Sequence, residues 1–150
     1  MDVTQDLYSA YRSLIAQTYE VAGLSRRLSD HDAAAEGATT AQWHVLSVLS
    51  GGPATVPQVA RRLGQARQSV QRVADDLLAR EDLRETANPD HTRSRLLTIT
   101  ELGTARLDRL WERSRPSRLA MLTDAGISAV DLDRAADTLA ALAAAMRPTD

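Results

Sequence analysis

Residues 55–80 read TVPQVARRLGQARQSVQRVADDLLAR, and this stretch decides the fold. Thr55 and Gln58 have the spacing of a capping box, which starts a short helix, and Gly64 ends that helix. After a brief turn, a longer helix occupies about residues 66–80. Two helices joined by so short a turn predict a helix-turn-helix, the motif whose second helix lies in the major groove of DNA.

The second helix of this pair has two chemically distinct faces. Its inward stripe is apolar and consists of Ala66, Val70, Val73, Ala74 and Leu77. Its outer face carries side chains that hydrogen-bond base edges and phosphates, namely Arg67, Gln68, Ser69, Gln71 and Arg72. A solvated helix face usually carries Glu and Lys, and this stretch has neither. We therefore predict that the helix contacts bases and phosphates rather than serving as an ordinary polar surface.

The chain after this helix has the pattern of a β hairpin, called the wing below. Short strands are predicted at residues 83–87 and 95–100, with a polar tip at residues 88–94 between them. Arg93 and Arg95 lie in and beside this tip, where an arginine can enter the narrow minor groove and sense its potential. The alternative is an ordinary exposed turn, in which Asn-Pro-Asp serves turn chemistry only.

Further helices bracket the helix pair and the wing. A first helix is predicted over residues 4–28, and the small, polar residues 29–38 are predicted to be a linker. Thr39 and Gln42 form a second capping box, which starts a helix that ends before Gly51.

Two helices are predicted after the wing. Thr100 caps the first, which extends for about 20 residues with Pro116 expected to bend it, and Ser128 caps the second. The first and last helices of the chain are too apolar for a monomer to cover, so we expect them to pair with a second copy. The predicted organisation is a dimerisation helix and linker at 1–38, a winged helix-turn-helix at 39–100 and dimerisation helices at 101–150.

Charge is distributed unevenly along the chain. The 150 residues carry 18 basic and 20 acidic side chains, a net charge of −2, and every basic residue is arginine. Residues 41–100 nevertheless hold eight arginines against six acids, and no acid lies between Glu36 and Asp75. A positive centre between acidic ends predicts one face that binds a polyanion.

Several functional classes are excluded by what the chain lacks. Without cysteine there is no disulfide scaffold, zinc ribbon, Cys nucleophile or thiol redox sensor. His31, His44 and His91 lack metal-ligand spacing, and catalytic motifs are missing, so we expect no metal, no cofactor and no enzyme activity. Without an apolar run of about 20 residues or a signal peptide, we expect a cytoplasmic protein that has no membrane partner.

Three stretches together resemble the winged helix-turn-helix of the MarR family of bacterial transcription regulators. They are TTAQWHVLSVL at 39–49, the stretch at 55–80 and NPDHTRSRLLTITELG at 88–103. The flanking helices are also similar in length and order, so the resemblance covers nearly the whole chain. It implies an obligate homodimer built from the first, fifth and sixth helices, a palindromic operator in double-stranded DNA and, usually, repression relieved by a small ligand.

The resemblance assigns the family's recognition-helix contacts to Arg67, Gln68, Ser69, Gln71 and Arg72. It makes Arg93 the wing-tip arginine, but family wings usually carry an Asp two residues earlier, where this chain has His91 and an Asp90 one place off. The family's helix usually runs into a Gly and an apolar residue, where this chain has Glu81 and Asp82. Extra negative charge near the DNA predicts weaker or more salt-sensitive binding.

Effectors of this family bind between the DNA-binding lobe and the dimer helices. The resemblance therefore implies a pocket near Tyr8, Tyr11, Trp43, His44 or Trp111. The alternative for each residue is core packing, which the inward position of Trp43 on its helix favours. The tyrosine hydroxyls suit a small aromatic or phenolic effector.

The sequence thus predicts a mainly α fold with a small β wing, in which a winged helix-turn-helix is flanked by long dimerisation helices. The predicted function is a sequence-specific, homodimeric DNA-binding repressor. An activator and a regulator without a small-molecule ligand are equally compatible with the sequence. The alternative from another class is a helical dimer whose winged domain binds a protein partner, which Glu81, Asp82 and the net charge of −2 slightly favour.

Overall fold

The structure, a computed structural model, describes residues 3–91 and 93–147. Within these residues the order of elements is α1 (Val3–Ala35), α2 (Thr40–Leu49), α3 (Val56–Leu63), α4 (Arg67–Ala79), β1 (Leu83–Thr86), β2 (Leu96–Ile99), α5 (Glu101–Asp124) and α6 (Ala129–Ala145). This order confirms the predicted mainly α fold with a small β wing. One residue of the predicted wing tip, Thr92, lies outside the described residues.

The first helix is longer than its composition predicts. The prediction of a linker at 29–38 is wrong, because α1 continues to Ala35 and only a few residues separate it from α2. Ser29 and Ala33 lie one helical turn apart, and both are buried. Packing of this face stabilises two further helical turns, although the residues between are polar and small.

Capping explains where three other helices begin. The predicted capping boxes are confirmed at Thr39 for α2, Thr55 for α3 and Ser128 for α6, since each side chain accepts the N–H three residues later. Gly64 ends α3 in the left-handed conformation, with φ of 62°. Because both ends of α3 are fixed locally, the turn that leads into α4 has a defined direction.

The wing is a two-stranded antiparallel sheet. Its register pairs Leu83 with Ile99 and Thr86 with Leu96. A third short segment joins the sheet at Ala54, whose N–H and C=O bond to Leu97 at 3.2 and 2.9 Å. This bridge joins the wing to the segment before α3, so the base of the wing is fixed to the helix-turn-helix.

One apolar core anchors α2, α3, α4, the sheet and the start of α5. Its fully buried members include Val45, Leu46, Leu49, Val59, Val70, Leu77, Leu97, Leu107 and Leu110. On α4 the predicted inward stripe is confirmed at Val70, Ala74 and Leu77. Ala66 is an exception, because it is the exposed N-cap of the helix rather than part of its packed face.

The chain divides into two compact units, one ending at Arg113 and the other beginning at Ser114. In the first unit, apolar side chains of α1 stay exposed, such as Leu7, Val21 and Leu24. In the second, α6 has no buried residue. Among the described helices, none carries an apolar stretch that could cross a membrane.

Candidate nucleic-acid interface

The outer face of α4 is a continuous polar surface. Because Val70, Ala74 and Leu77 hold one side of the helix in the core, the opposite side is directed to solvent. Five predicted contact residues are all exposed on it: Arg67, Gln68, Ser69, Gln71 and Arg72. The helix therefore presents guanidinium, amide and hydroxyl groups together, from its first turn onward.

The two glutamines of α4 differ in their surroundings. Gln71 Nε2 donates to Asp75 Oδ1 at 2.8 Å, one turn further along the helix. Gln68 forms no such bond with any described residue. An amide can donate to and accept from adenine at once, and Gln68 has all of these groups available. Gln71 keeps its second N–H and its Oε1, while the bond to Asp75 fixes the direction of its amide.

The C-terminal end of α4 lies where the sequence predicts it, although no glycine follows the helix. Glu81 adopts a left-handed conformation with φ of 62°, and its N–H donates to Leu78 O at 3.0 Å. Asp82 N–H donates to Leu77 O at 2.9 Å, which completes a Schellman motif. Glu81 thus occupies the position in which helices usually carry glycine.

Asp82 does not add negative charge to the surface around α4, so that part of the expectation is wrong. Its side chain is fully buried and forms an ion pair with Arg106 of α5. Of the two acidic departures, only Glu81 is exposed. The ion pair with Arg106 could not be predicted from the sequence, because the two residues are 24 positions apart.

The wing brings a second set of groups to the same side. Gln71, Arg93 and Arg95 line one cavity of about 240 Å³, so the wing base lies beside α4. Arg95 Nε forms an exposed ion pair with Glu85 Oε2 at 2.8 Å, across the two strands. Arg93 is exposed and pairs with none of the described acids, which leaves its guanidinium open to an anion.

The five predicted effector-pocket residues do not share one cavity. Tyr8 and Tyr11 stack on α1 with ring centroids 6.1 Å apart, and both are exposed. Trp43 is buried in the core, as the alternative interpretation has it, and Trp111 of α5 is exposed. His44 lines a separate cleft that contains none of the other four residues.

This cleft contains residues that the sequence analysis did not single out. Arg26 of α1 and Gln65 of the turn before α4 line it together with His44, in a volume of about 240 Å³. Burial lowers the pKa of His44, and the charge of Arg26 lowers it further, whereas Asp30 opposes both effects. The sequence did not point to Arg26 as a cleft residue, because α1 was predicted to end at about residue 28, two positions beyond it.

Among the described residues, no group of three acidic or histidine side chains could hold a metal ion.

The sequence is similar to those of known proteins. A sequence model of the MarR family matches residues 36–94, which hold α2, α3, α4 and the first strand of the wing. Proteins of uncharacterised function from Mycobacterium tuberculosis and Mycobacterium bovis are 50% identical to this chain over 101 residues, or 67% of this chain and 71% of theirs.

Solved structures share the fold. A MarR-family transcriptional regulator from Silicibacter pomeroyi has a TM-score of 0.74 and 23% identity, over 89% of this chain and 90% of its own. CouR from Rhodococcus jostii, bound to p-coumaroyl-CoA, has a TM-score of 0.72 and 21% identity, over 88% and 90%. A mutant of E. coli MarR in complex with operator DNA has a TM-score of 0.66 and 18% identity, over 95% and 99%.

At these identities the structural matches show the fold alone, and the sequence match covers the helix-turn-helix itself. On the two together, the chain belongs to the MarR family of transcriptional regulators.

Proposed function

We propose that the protein is a homodimeric transcriptional repressor that binds a palindromic operator in double-stranded DNA. The observation that carries this proposal is the exposed face of α4, where five neutral or basic hydrogen-bonding side chains stand opposite a buried stripe. In the sequence, the charged residues between Glu36 and Asp75 are all arginines. Such a surface attracts the phosphate backbone and reads base edges.

In this proposal α4 enters the major groove by its N-terminal end. Arg67 and Gln68, in the first turn, reach base edges, and Arg72 reaches the backbone. The wing extends to the adjacent minor groove, where Arg93 senses the narrow groove's negative potential. The Arg95–Glu85 ion pair supports this role by bracing the strands beneath the wing tip.

Dimerisation is supported by apolar surface that a single chain leaves open. On α1 the exposed residues include Leu7, Tyr19 and Leu24, and on α6 they include Leu132 and Leu139. Exposed apolar patches on this scale are typical of protein interfaces. A twofold dimer sets two copies of α4 about one turn of DNA apart, which matches a palindrome.

We also propose that a small ligand relieves repression by shifting the dimer toward a spacing that no longer fits both half-sites. The stacked, exposed rings of Tyr8 and Tyr11 offer aromatic surface and hydroxyls to such an effector. The structure of CouR, which shares the fold, contains bound p-coumaroyl-CoA.

The alternative, a winged domain that binds a protein partner, loses one of its supports. Asp82 is buried and paired with Arg106, so it adds no negative charge to the surface.

The test of DNA binding uses a mixed-sequence DNA duplex and a double variant, Arg67→Gln with Arg72→Gln. Wild-type protein is expected to bind with an affinity that falls steeply as salt rises, and the double variant to show a slope smaller by about 0.9 for each phosphate contact it loses. Folded wild-type protein that binds no duplex would contradict the proposal.

A further inference from the structure

We propose that a cleft between α1, α2 and the turn after α3 holds a phosphate of the DNA backbone, in addition to the contacts of α4 and the wing. Its lining consists of Arg26, Asp30, Thr39, Thr40, Ala41, His44 and Gln65, and its volume is about 240 Å³. The inference rests on the proposed DNA binding and extends the same interface by one flanking contact.

The position of Gln65 connects this cleft to the DNA-binding surface. Gln65 directly precedes the N-cap of α4, and its N–H donates to Ala60 O at 3.0 Å, which fixes the turn. In a helix-turn-helix the N-terminal end of the second helix enters the major groove, so the turn before it faces the strand that borders the groove. A group bound beside Gln65 therefore lies next to a backbone phosphate when Arg67 is at the bases.

Two nitrogen-bearing side chains converge on the cleft with Gln65. Arg26 comes from α1, is exposed, and forms no ion pair with a described acid. His44 comes from α2 and is half-buried. A guanidinium binds phosphate through paired N–H groups, and a side-chain amide and an imidazolium each add further donors. Positive charge and directed donors thus meet in one place.

Asp30 is the acidic residue of the cleft and opposes an anion. Its Oδ1 accepts a hydrogen bond from Thr40 Oγ1 at 2.6 Å, which engages this oxygen at the start of α2. The capping box of α2 is complete without any ligand. The side chains of Arg26, His44 and Gln65 are left as donors for a phosphate. The O–H of Thr39 is a further donor, since its Oγ1 only accepts in the capping box.

A small aromatic effector fits this cleft poorly. Ala41 is the one apolar residue in its lining, and the others are polar or charged. Pockets for drug-sized ligands are lined mainly by apolar and aromatic side chains. A phosphate group of the DNA backbone is small and charged, so it suits this small polar cleft better than an aromatic effector does.

If a phosphate binds in the cleft, DNA binding should depend on the protonation of His44, which a purely structural role of this residue would not require. In the free protein burial lowers the pKa of His44, Arg26 lowers it further, and Asp30 raises it. Those two charged groups face it from α1, and from the turn the described neighbour is the uncharged Gln65. A phosphate in the cleft favours the imidazolium, so DNA binding takes up a proton at His44.

The test is the salt dependence of binding by full-length protein to a mixed-sequence duplex of roughly 40 base pairs. Arg26→Gln is expected to reduce the slope of log affinity against log salt by about 0.9 for each cleft that loses its phosphate. Arg27→Gln is the matched control, because it removes the same charge from the next residue of α1, which is exposed and does not line the cleft.

His44→Gln gives a second readout on the same duplex. As pH falls from about 7.5 to about 6, wild-type affinity is expected to rise more steeply than that of the variant. If Arg26→Gln and Arg27→Gln have equal salt slopes, the inference about the cleft is wrong. The proposed function still stands in that case, provided that the wild type binds the duplex and the α4 double variant binds it less tightly. If wild-type protein binds no duplex at all, the proposed function fails and the cleft contact with it.

Discussion

Arg106 Nε donates to Asp82 Oδ1 at 3.0 Å and lies 2.9 Å from Oδ2, in a pair whose acidic side chain is fully buried. Asp82 follows the Schellman end of α4, and Arg106 lies in the second turn of α5. Thr100, at the start of α5, adds an N–H bond to Asp82 O at 3.0 Å. The end of α4 is thus tied to α5 by an ion pair and by a backbone hydrogen bond.

Arg106→Met is expected to destabilise the protein strongly. It leaves the Asp82 carboxylate buried without its cation, and breaking such pairs costs about 3–5 kcal/mol, here near the lower end because Arg106 keeps 17% of its side chain exposed. Urea unfolding measures the change. The double variant Asp82→Leu with Arg106→Met is the control, and it should recover most of the loss because no unpaired charge remains. Equal losses in both variants would show that packing, not charge, is responsible.

Glu81→Gly is expected to stabilise the protein by about 1 kcal/mol. Glu81 has φ of 62°, a conformation that costs a residue with a Cβ about 1–2 kcal/mol and glycine almost nothing, although glycine adds unfolded-state entropy. Glu81→Gln is the matched control, since it removes the charge and keeps the strain. If Glu81→Gln stabilises as much as Glu81→Gly, charge rather than backbone conformation explains the effect.

Gly103→Ala and Gly23→Ala should have opposite effects. A Cβ at Gly103 would lie 2.1 Å from Asp82 O, so α5 must move away from the end of α4, at a cost of about 1–3 kcal/mol or more. At Gly23, in α1, a Cβ meets nothing within 4 Å, and alanine should add about 0.5–1 kcal/mol of helix stability. Thermal unfolding of the two variants measures both changes in stability. If Gly103→Ala is as stable as the wild type, the close approach of Gly103 to Asp82 O is wrong.

Arg93→Ala is expected to weaken DNA binding by a similar factor across many sequences. In the proposed complex its guanidinium contacts the backbone or minor groove, so the salt slope should fall by about one for each wing. Arg134→Ala, an exposed arginine of α6 outside the winged domain, provides the matched control. Unchanged affinity and slope for Arg93→Ala would mean that the wing does not bind DNA.

Gln68→Ala should instead relax specificity at particular base pairs. A bidentate amide contact with adenine contributes about 1–3 kcal/mol of discrimination, whereas phosphate contacts contribute none. Affinities for duplexes substituted one base pair at a time measure this. A uniform loss over all positions would indicate that Gln68 contacts the backbone only.

The stability of the free protein should decrease as pH falls below neutrality, in part through His44. Burial lowers its pKa in the folded state, so the unfolded chain binds the proton more readily. The contribution is fully present above the unfolded pKa of about 6.5 and is lost as pH falls toward the lower folded pKa. Urea unfolding at pH 7.5 and pH 5.5, values chosen to bracket about 6.5, should show a smaller loss for His44→Gln than for the wild type.

Local signals in the sequence were sufficient for most of the fold. Capping residues such as Thr55 and Ser128 act within one turn, and the buried stripe of α4 follows from helical spacing. The end of α1 was predicted wrongly, because burial of Ser29 and Ala33 depends on residues far along the chain.

The same limit applies to the interface. The exposed side chains of α4 could be found from spacing alone, whereas the neutralisation of Asp82 could not, since Arg106 is distant in sequence. The cleft at His44 was also invisible, because α1, α2 and the turn at Gln65 meet only in the folded chain.

Sequence-specific binding to a palindrome is the central claim, and selection from fragmented host genomic DNA tests it most directly. Purified wild-type protein, shown to be folded and dimeric, would select fragments at near-physiological salt beside the variant Arg67→Ala. The account predicts that the wild type enriches a shared palindrome with half-sites about one helical turn apart and that the variant does not. Recovery of no common sequence by folded, dimeric protein would contradict it and favour a protein partner.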